Sequence, residues 1–157
     1  MDGFRVDAIT TLIEDLPGRP TGPEFLCLNH PETHDFLRSV RALADEFCSA
    51  PLVAEAWAKP AETAAYFGKG SDEFHLSFSL TLSVGTQAAL AMNGPKMVVE
   101  ALAEANAPLP PGAQWGTWLS NHDQPRIMAT LADDPRRAAL AAALLMTTPG
   151  KIGRAHV

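Results

Sequence analysis

Three carboxylates lie at or near the ends of short apolar segments that have the composition of β-strands. Asp7 lies in GFRVDAI, Glu55 in PLVAEAW, and Asp123 directly follows the aromatic run QWGTWLSNH. An acidic side chain in such a position often caps a helix or forms a salt bridge. The same side chain can also act as a nucleophile or transfer a proton. Which role applies depends on whether the fold brings these carboxylates together.

The predicted elements alternate between strands and helices. Strands are predicted at 3–9, 51–57, 73–80 and 114–120, and helices at about 31–48, 60–67 and 84–106, the last interrupted at Gly94-Pro95. A final helix should begin at Pro135, capped by Asp133 or Asp134, and segments 16–25 and 108–112 should be loops. This alternation predicts an α/β fold with a parallel sheet, either an open doubly wound sheet or a (β/α)₈ barrel.

The spacing of the three acids fits consecutive units of a barrel. One unit takes about 30 residues. Asp7 and Glu55 are 48 residues apart, which fits one unit with a long inserted loop, and Glu55 and Asp123 are 68 apart, which fits two units. Catalytic residues of such barrels lie at the C-terminal ends of several different strands. The three carboxylates would then converge on one pocket.

Converging carboxylates fit the hydrolysis of glycosidic bonds. A retaining glycosidase needs an ionised nucleophile and a protonated acid about 5–5.5 Å apart. Arg5 shares a strand face with Asp7 and favours its ionised form, whereas the apolar surroundings of Glu55 favour the protonated form. We therefore predict that Asp7 is the nucleophile and Glu55 the acid/base. A purely structural role for each acid stays open at this point.

Three segments resemble signature regions of a known family. GFRVDA, VAEAW and LSNHD are similar, in order and spacing, to motifs of glycoside hydrolase family 13, the α-amylase family. The resemblance extends over nearly the whole chain. The bacterial α-glucosidase branch is most similar in three segments, NHDQPR, HPETHDFLRSVR and DEFHLSF, whereas trehalose synthases and amylosucrases typically differ after the final Asp. The resemblance implies that residues 1–150 are part of a catalytic TIM (β/α)₈ barrel, about strands four to seven with their helices.

The resemblance also implies catalytic roles for the matched residues. Asp7 would be the nucleophile, Glu55 the acid/base, and Asp123 the carboxylate that stabilises the transition state and binds sugar hydroxyls. Arg5 would hold the nucleophile in place.

Further matched residues would line the sugar pocket. His122 would hydrogen-bond the sugar in the first subsite, and Arg126 would shape the glucose pocket. Ala8 follows the nucleophile, where valine favours α-1,6 linkages and smaller or polar residues favour α-1,4 linkages. The resemblance therefore implies α-1,4-glucosides, such as maltose or short malto-oligosaccharides, as substrates.

The expected function is thus that of a retaining α-glucosidase-like hydrolase. The same residues would serve a transglucosylase or a sucrose isomerase, in which a sugar replaces water as acceptor. A non-catalytic relative, similar to the amylase-like ectodomains of amino-acid transporter heavy chains, would lack carboxylates that this chain retains. The sequence contains no Gly-rich phosphate loop, which argues against a nucleotide enzyme.

The amino-acid composition limits which binding partners and which cellular location are expected. The net charge is −6 and the basic residues form no run, which argues against nucleic-acid and membrane-surface partners, while the oligomeric state stays open. No apolar run has the length of a membrane span. A cytoplasmic location is expected, although secretion stays open because the beginning of the family's domain would lie upstream. Cys27 and Cys48 lack motif spacing and are expected to be separate reduced thiols.

A few other residues could take part in binding. His30 and His34 are four residues apart, but His30 precedes Pro31, so a capping or solvated role is favoured over a metal site. His75 is expected in a polar layer, and Trp57 could either stack on a sugar or pack in the core. No cofactor is expected, and a structural calcium site would fall outside this chain.

Both ends of the chain depart from the family's pattern. The family's earlier signature, an Asp followed four residues later by Asn-His, should lie upstream, and an eighth strand should follow Pro149-Gly150. Residues 151–157, KIGRAHV, are neither apolar nor strand-like, and they resemble a sequencing adapter (AAG ATC GGA AGA GCA CAC GTC) read as codons. They are therefore expected to be a non-native tail, which source DNA continuing natively through Val157 would contradict.

The chain on its own is accordingly expected to be an inactive fragment. Half of a barrel exposes sheet edges and an apolar face that the other half covers. We expect the 157-residue chain to aggregate or to form a molten species. A monomeric profile with a sharp cooperative thermal transition would contradict this expectation.

Overall fold

The computed structural model describes residues 2–13, 28–47 and 50–152. They divide into two compact units, Met1–Phe78 with Pro110–Ala113, and Ser79–Leu109 with Gln114–Val157. Strands and helices alternate along the chain, and the strand pairs within each unit are parallel, so the predicted α/β class is confirmed. The predicted loop at 16–25, Cys27 and Cys48 lie outside the described residues.

The first unit is built on three parallel strands. They are β1 (Phe4–Val6), β2 (Leu52–Ala54) and β3 (Leu76–Phe78), with β2 between the other two. Each has three residues, fewer than the sequence predicted. Val6 pairs with Ala54, so the next residues along the chain, Asp7 and Glu55, leave the two strands at the same edge.

Helix α1 (Pro31–Phe47) covers the other face of these strands. Its Leu37 and Ala44 are buried and share an apolar core with Leu52 and Ala54 of β2. Full burial of one leucine side chain contributes about 1.5–3 kcal/mol, so this packing fixes α1 against the strands. The backbone N–H of Glu32, in the first turn, donates to His30 Nδ1 at 3.3 Å, which confirms a capping role for His30.

A buried carboxylate ties α1 to the segment before β3. Glu73 is 1% exposed and contacts His34 Nδ1 at 2.8 Å and Arg38 Nη1 at 3.1 Å. His34 Nε2 also lies 3.1 Å from Asn29 Oδ1, so both ring nitrogens are used. His34 therefore has a structural role in this unit.

The remaining helical segments of the first unit are short. A 3₁₀ turn covers Ile9–Thr11, α2 spans Pro60–Ala64, and a second 3₁₀ turn covers Ala65–Phe67, where one helix over 60–67 was predicted. Among the described residues, no helix is long and apolar enough to cross a lipid bilayer.

The described part of the second unit contains four helices and two strands. In chain order they are α3 (Leu80–Met92), α4 (Pro95–Asn106), β4 (Trp115–Thr117), α5 (Ile127–Thr130), α6 (Pro135–Thr147) and β5 (Lys151–Ile152). Helix α3 ends at Met92 and α4 begins at Pro95, so the predicted break at Gly94-Pro95 is confirmed. Asp134 caps α6 by accepting a hydrogen bond from the Arg136 N–H at 2.8 Å, also as predicted.

Strand β5 is a correction to the sequence prediction. Lys151 and Ile152 were not expected to form a strand, yet they pair in parallel with Gly116 and Thr117 of β4. Both side chains are exposed, so the apolar pattern that marks a buried strand is missing, and backbone hydrogen bonding alone defines the element. That 151–157 is a non-native tail stays a prediction.

Close packing of α3 against α4 generates a stability prediction. A Cβ atom added at Gly85 would lie 2.4 Å from Ala101 Cβ. Overpacking costs about 1–3 kcal/mol and the gain in helix propensity returns about 1 kcal/mol, so Gly85→Ala should destabilise the intact protein by about 1 kcal/mol or more. Chemical denaturation measures this, with Val84→Ala as an exposed control on the same helix. An unchanged or raised midpoint for Gly85→Ala would contradict the tight contact.

Candidate active site

The backbone continues the β1–β2 pairing beyond the strand ends. The Glu55 N–H donates to Val6 O at 3.1 Å, and the Ile9 N–H donates to Glu55 O at 3.0 Å. Between these contacts the chain turns at Ala8, whose φ of 45° and ψ of 45° lie in the left-handed region. Asp7 and Glu55 are therefore held side by side by backbone hydrogen bonds, with Ala8 in the turn that follows Asp7.

A single guanidinium contacts both carboxylates. Arg5 Nη2 lies 2.7 Å from Asp7 Oδ1 and 2.5 Å from Glu55 Oε2. Arg5 pairs with Val53 across the two strands and precedes Asp7 by one pleat, so all three charged side chains project from the same face. The Asp7 side chain is 70% exposed and that of Glu55 is 10% exposed. The two carboxylates thus share a cation but differ sharply in hydration.

This difference in hydration shifts the pKa of Glu55. Burial raises the pKa of Glu55 above its ordinary value, and its hydrogen bond to Asp7 and the charge of Asp7 raise the pKa further. The Arg5 guanidinium and the indole N–H of Trp57 act in the opposite direction. The net shift is upward, in the direction expected from the apolar surroundings of Glu55 in the sequence.

The two carboxyl groups lie beside each other, on the same nitrogen of Arg5, and the hydrogen bond to Asp7 helps to raise the pKa of Glu55. In a retaining glycosidase, a nucleophile and an acid/base that flank a substrate are about 5–5.5 Å apart. A sugar that enters between the carboxyls would interrupt their direct interaction. Arg5 can keep its contacts with both groups as they separate, because the guanidinium has several donors.

The second unit contains the LSNHDQPR segment. Asn121 Oδ1 accepts a hydrogen bond from the Asp123 N–H at 3.1 Å, which forms a tight turn. Within this turn His122 Nε2 lies 3.2 Å from Asp123 Oδ2, and both side chains are exposed. Arg126 is exposed and immediately precedes α5. Asn121 was not among the predicted site residues, although its position two residues before Asp123 is typical of such a turn.

Other candidate residues have structural surroundings. His75 Nδ1 accepts a hydrogen bond from the Leu52 N–H at 3.0 Å, and burial lowers its pKa, which agrees with the predicted polar layer. Trp115 and Trp118 are buried, as expected for core residues. Across residues 2–13, 28–47 and 50–152, no group of three His, Cys, Asp or Glu side chains is arranged to hold a metal ion.

Sequence reasoning missed two contacts of Glu55. The contact with Arg5 was expected for Asp7 alone, although the parallel register of β1 and β2 also places Arg5 beside the end of β2. Trp57 Nε1 donates to Glu55 Oε1 at 3.3 Å, and 42% of Trp57 is exposed. Trp57 was predicted only as a sugar platform or a core residue. Its spacing of two residues from Glu55 is the signal that could have suggested the hydrogen bond.

Parallel strands that end in a carboxylate pair are typical of α/β-barrel hydrolases. Comparison with known protein families identifies the class of protein, since the family model "Alpha amylase, catalytic domain" matches residues 1–153. The chain belongs to the α-amylase family, glycoside hydrolase family 13. The α-amylase of H. orenii has the same fold with a TM-score of 0.79, at 21% identity over 98% of this chain and 30% of that chain. The fold predicted from sequence, part of a TIM barrel, is therefore confirmed.

Two curated relatives represent different activities. The trehalose synthase/amylase TreS of Mycolicibacterium smegmatis is 40% identical over 79% of this chain. A probable α-glucosidase of Rhizobium meliloti is 30% identical over 97% of this chain. The chain spans about a fifth of the length of TreS and about a third of the α-glucosidase. The higher identity to a trehalose synthase was not expected from the residues that follow Asp123.

The raised pKa of Glu55 generates a prediction for the pH profile. A general acid works only when protonated, so if Glu55 has the predicted role, maltose turnover by the intact enzyme should fall as pH rises through the pKa of Glu55. Because that pKa is raised, this alkaline limb should lie above the range of an ordinary glutamate. Initial rates across the pH range measure it. An alkaline limb within the ordinary range would contradict the raised pKa.

Substituting Glu55 tests the same assignment. Glu55→Gln should lower maltose turnover by about 10²–10⁴-fold. First-turnover fluoride release from α-glucosyl fluoride should fall far less, because fluoride leaves without a proton. Glu32→Gln, on the exposed surface of α1, is the matched control. Equal losses on both substrates would show that Glu55 does not act as the acid.

Proposed function

We propose that this chain carries the nucleophile and the acid/base of a retaining enzyme that cleaves α-glucosides by double displacement. The observation that supports this most directly is the contact of Arg5 with both carboxylates, one exposed and one buried. A hydrated carboxylate beside a guanidinium favours the ionised form that a nucleophile needs. Glu55, buried and with its pKa raised, favours the protonated form that a leaving group needs.

The proposed reaction has two steps at the same carbon. Glu55 gives its proton to the glycosidic oxygen while an oxygen of Asp7 bonds to the anomeric carbon, and the C–O bond to the leaving sugar breaks. Glu55 then removes a proton from the incoming acceptor, whose oxygen displaces Asp7. Both displacements invert the anomeric centre, so the product keeps the α configuration.

The nucleophile assignment gives a direct prediction. Asp7→Asn should lower turnover in the intact enzyme by on the order of 10³-fold or more, because an amide does not form the glycosyl ester. The fold should be retained, since the Asp7 side chain is 70% exposed. Turnover and thermal unfolding are measured together, with Asp2→Asn as an exposed control of the same chemistry. Near-normal turnover by Asp7→Asn would exclude Asp7 as the nucleophile.

The remaining roles rest on the motif resemblance. Asp123 is proposed to stabilise the transition state and bind sugar hydroxyls, with His122 and Arg126 contacting the glucose unit. The turn formed by Asn121 supports this proposal, because it leaves the His122 and Asp123 side chains exposed and therefore accessible.

Ala8 supports an α-1,4-linked substrate. Its small side chain lies in the turn directly after the nucleophile. We expect the intact enzyme to turn over maltose faster than isomaltose, as measured by initial rates at matched concentrations. Ala8→Gly is the control, because glycine suits a φ of 45° and adds no bulk, so the preference should persist. Faster turnover of isomaltose by the unmodified enzyme would overturn the linkage assignment.

A second candidate function is transfer of the glucosyl group to a sugar. It is favoured by the 40% identity to TreS, compared with 30% to the α-glucosidase. Asp7 and Glu55 would act as above, but the acceptor would be a hydroxyl of the released glucose, which converts maltose to trehalose. A sucrose isomerase would use the same two steps on sucrose. Chromatography of the products at high maltose concentration separates the outcomes, since hydrolysis yields glucose and transfer yields trehalose.

A further inference from the structure

The two oxygens of Glu55 have different partners. Oε2 contacts Arg5 Nη2 at 2.5 Å, and Oε1 accepts a hydrogen bond from Trp57 Nε1 at 3.3 Å. An indole N–H donates a hydrogen bond but neither accepts one nor titrates. Trp57 therefore cannot exchange protons with Glu55, and its effect on Glu55 is limited to orientation and to the relative stability of its two protonation states.

We infer that Trp57 is a positioning residue for proton transfer by Glu55, and that its indole N–H fixes the rotation of the carboxyl group by holding Oε1. The inference rests on the proposed acid/base role of Glu55. Two donors on two different oxygens define the plane of a carboxyl group, whereas a single donor on Oε2 leaves it free to rotate about its last bond. This second donor is needed most when a sugar breaks the contact between Glu55 and Asp7.

The surroundings of Trp57 argue against packing as its main role. Trp57 is 42% exposed and lies outside the apolar core that α1 forms with β2. A tryptophan whose main role is core packing is usually less exposed than this. Among the residues that the structure describes, Arg5 and Asp7 are the charged groups that shift the pKa of Glu55, and both act on the carboxyl independently of Trp57. The contribution of the N–H can therefore be removed while these two charges stay in place.

Removing the N–H should leave two measurable signs. The hydrogen bond from Trp57 lowers the pKa of Glu55, so its loss should move the alkaline limb of the maltose profile to higher pH. A less ordered carboxyl should also lower maltose turnover by about 3- to 10-fold, the range that one hydrogen bond typically accounts for. Fluoride release from α-glucosyl fluoride should change little, because that step needs no proton.

The experiment compares two variants of the intact enzyme. Trp57→Phe removes the N–H and reduces the ring. Replacement of Trp57 by 3-benzothienylalanine, in which sulfur takes the place of N–H, removes the donor and keeps the size of the ring. Both should move the alkaline limb to higher pH and slow maltose turnover selectively. Thermal unfolding of each variant confirms that it is folded.

The remaining outcomes would overturn the inference in distinguishable ways. An alkaline limb that stays in place or moves to lower pH in both variants refutes the role of the N–H. A shift in Trp57→Phe without one in the benzothienyl variant assigns the effect to the ring. If Glu55→Gln loses maltose and fluoride activity equally, the acid/base role itself fails, and the Trp57 inference fails with it. A normal Glu55→Gln result with an unmoved limb in both Trp57 variants refutes the Trp57 inference alone.

Discussion

The parallel register of β1 and β2 is the constraint on which the carboxylate pair depends. Val6 opposite Ala54 brings Asp7 and Glu55 to the same edge, and Arg5, one pleat earlier, projects from the same face. A slip of one residue in either strand would turn that strand's acid to the opposite face, toward the apolar core beneath α1. The backbone contacts of Ile9 and Glu55 extend the pairing past the strand ends and oppose such a slip.

Asp7 and Glu55 differ in their exposure to water more than in the charges that surround them. Arg5 contacts both carboxylates at similar distances, so its field alone cannot give them different roles. Asp7 extends into solvent, whereas Glu55 loses most of its water, and this desolvation outweighs the guanidinium in raising the pKa of Glu55. The hydrogen bond to Asp7 and the negative charge of Asp7 raise the pKa of Glu55 further. A substrate that separates the two carboxyls would change both the geometry and the charge distribution of the pair.

The sequence predicted the order of the elements well, but not all of their limits. Pro31, Gly94-Pro95 and Asp134 marked helix ends because their effects are local. Strands were predicted too long, because apolar composition continues past the last paired residue. Helix α5 and strand β5 were missed, since four- and two-residue elements carry too little periodicity. The proximity of Asp7 and Glu55 was predicted from strand ends and spacing, whereas the second contact of Arg5 required the strand register.

In the proposed mechanism, Asp7 and Glu55 do not determine whether water or a sugar accepts the glucosyl group. In the proposed mechanism, once the glucosyl group has bonded to Asp7, Glu55 would remove a proton from whichever hydroxyl lies closest, whether water or sugar. Residues that serve both outcomes should resemble both kinds of enzyme, and this chain is indeed similar to a trehalose synthase and to a probable α-glucosidase. The acceptor is selected by groups that exclude water or hold the released glucose during the lifetime of the intermediate. In the proposed mechanism, the ends of β1 and β2 therefore account for transfer of an α-glucosyl group with retention, and the surroundings of the pocket would determine its destination.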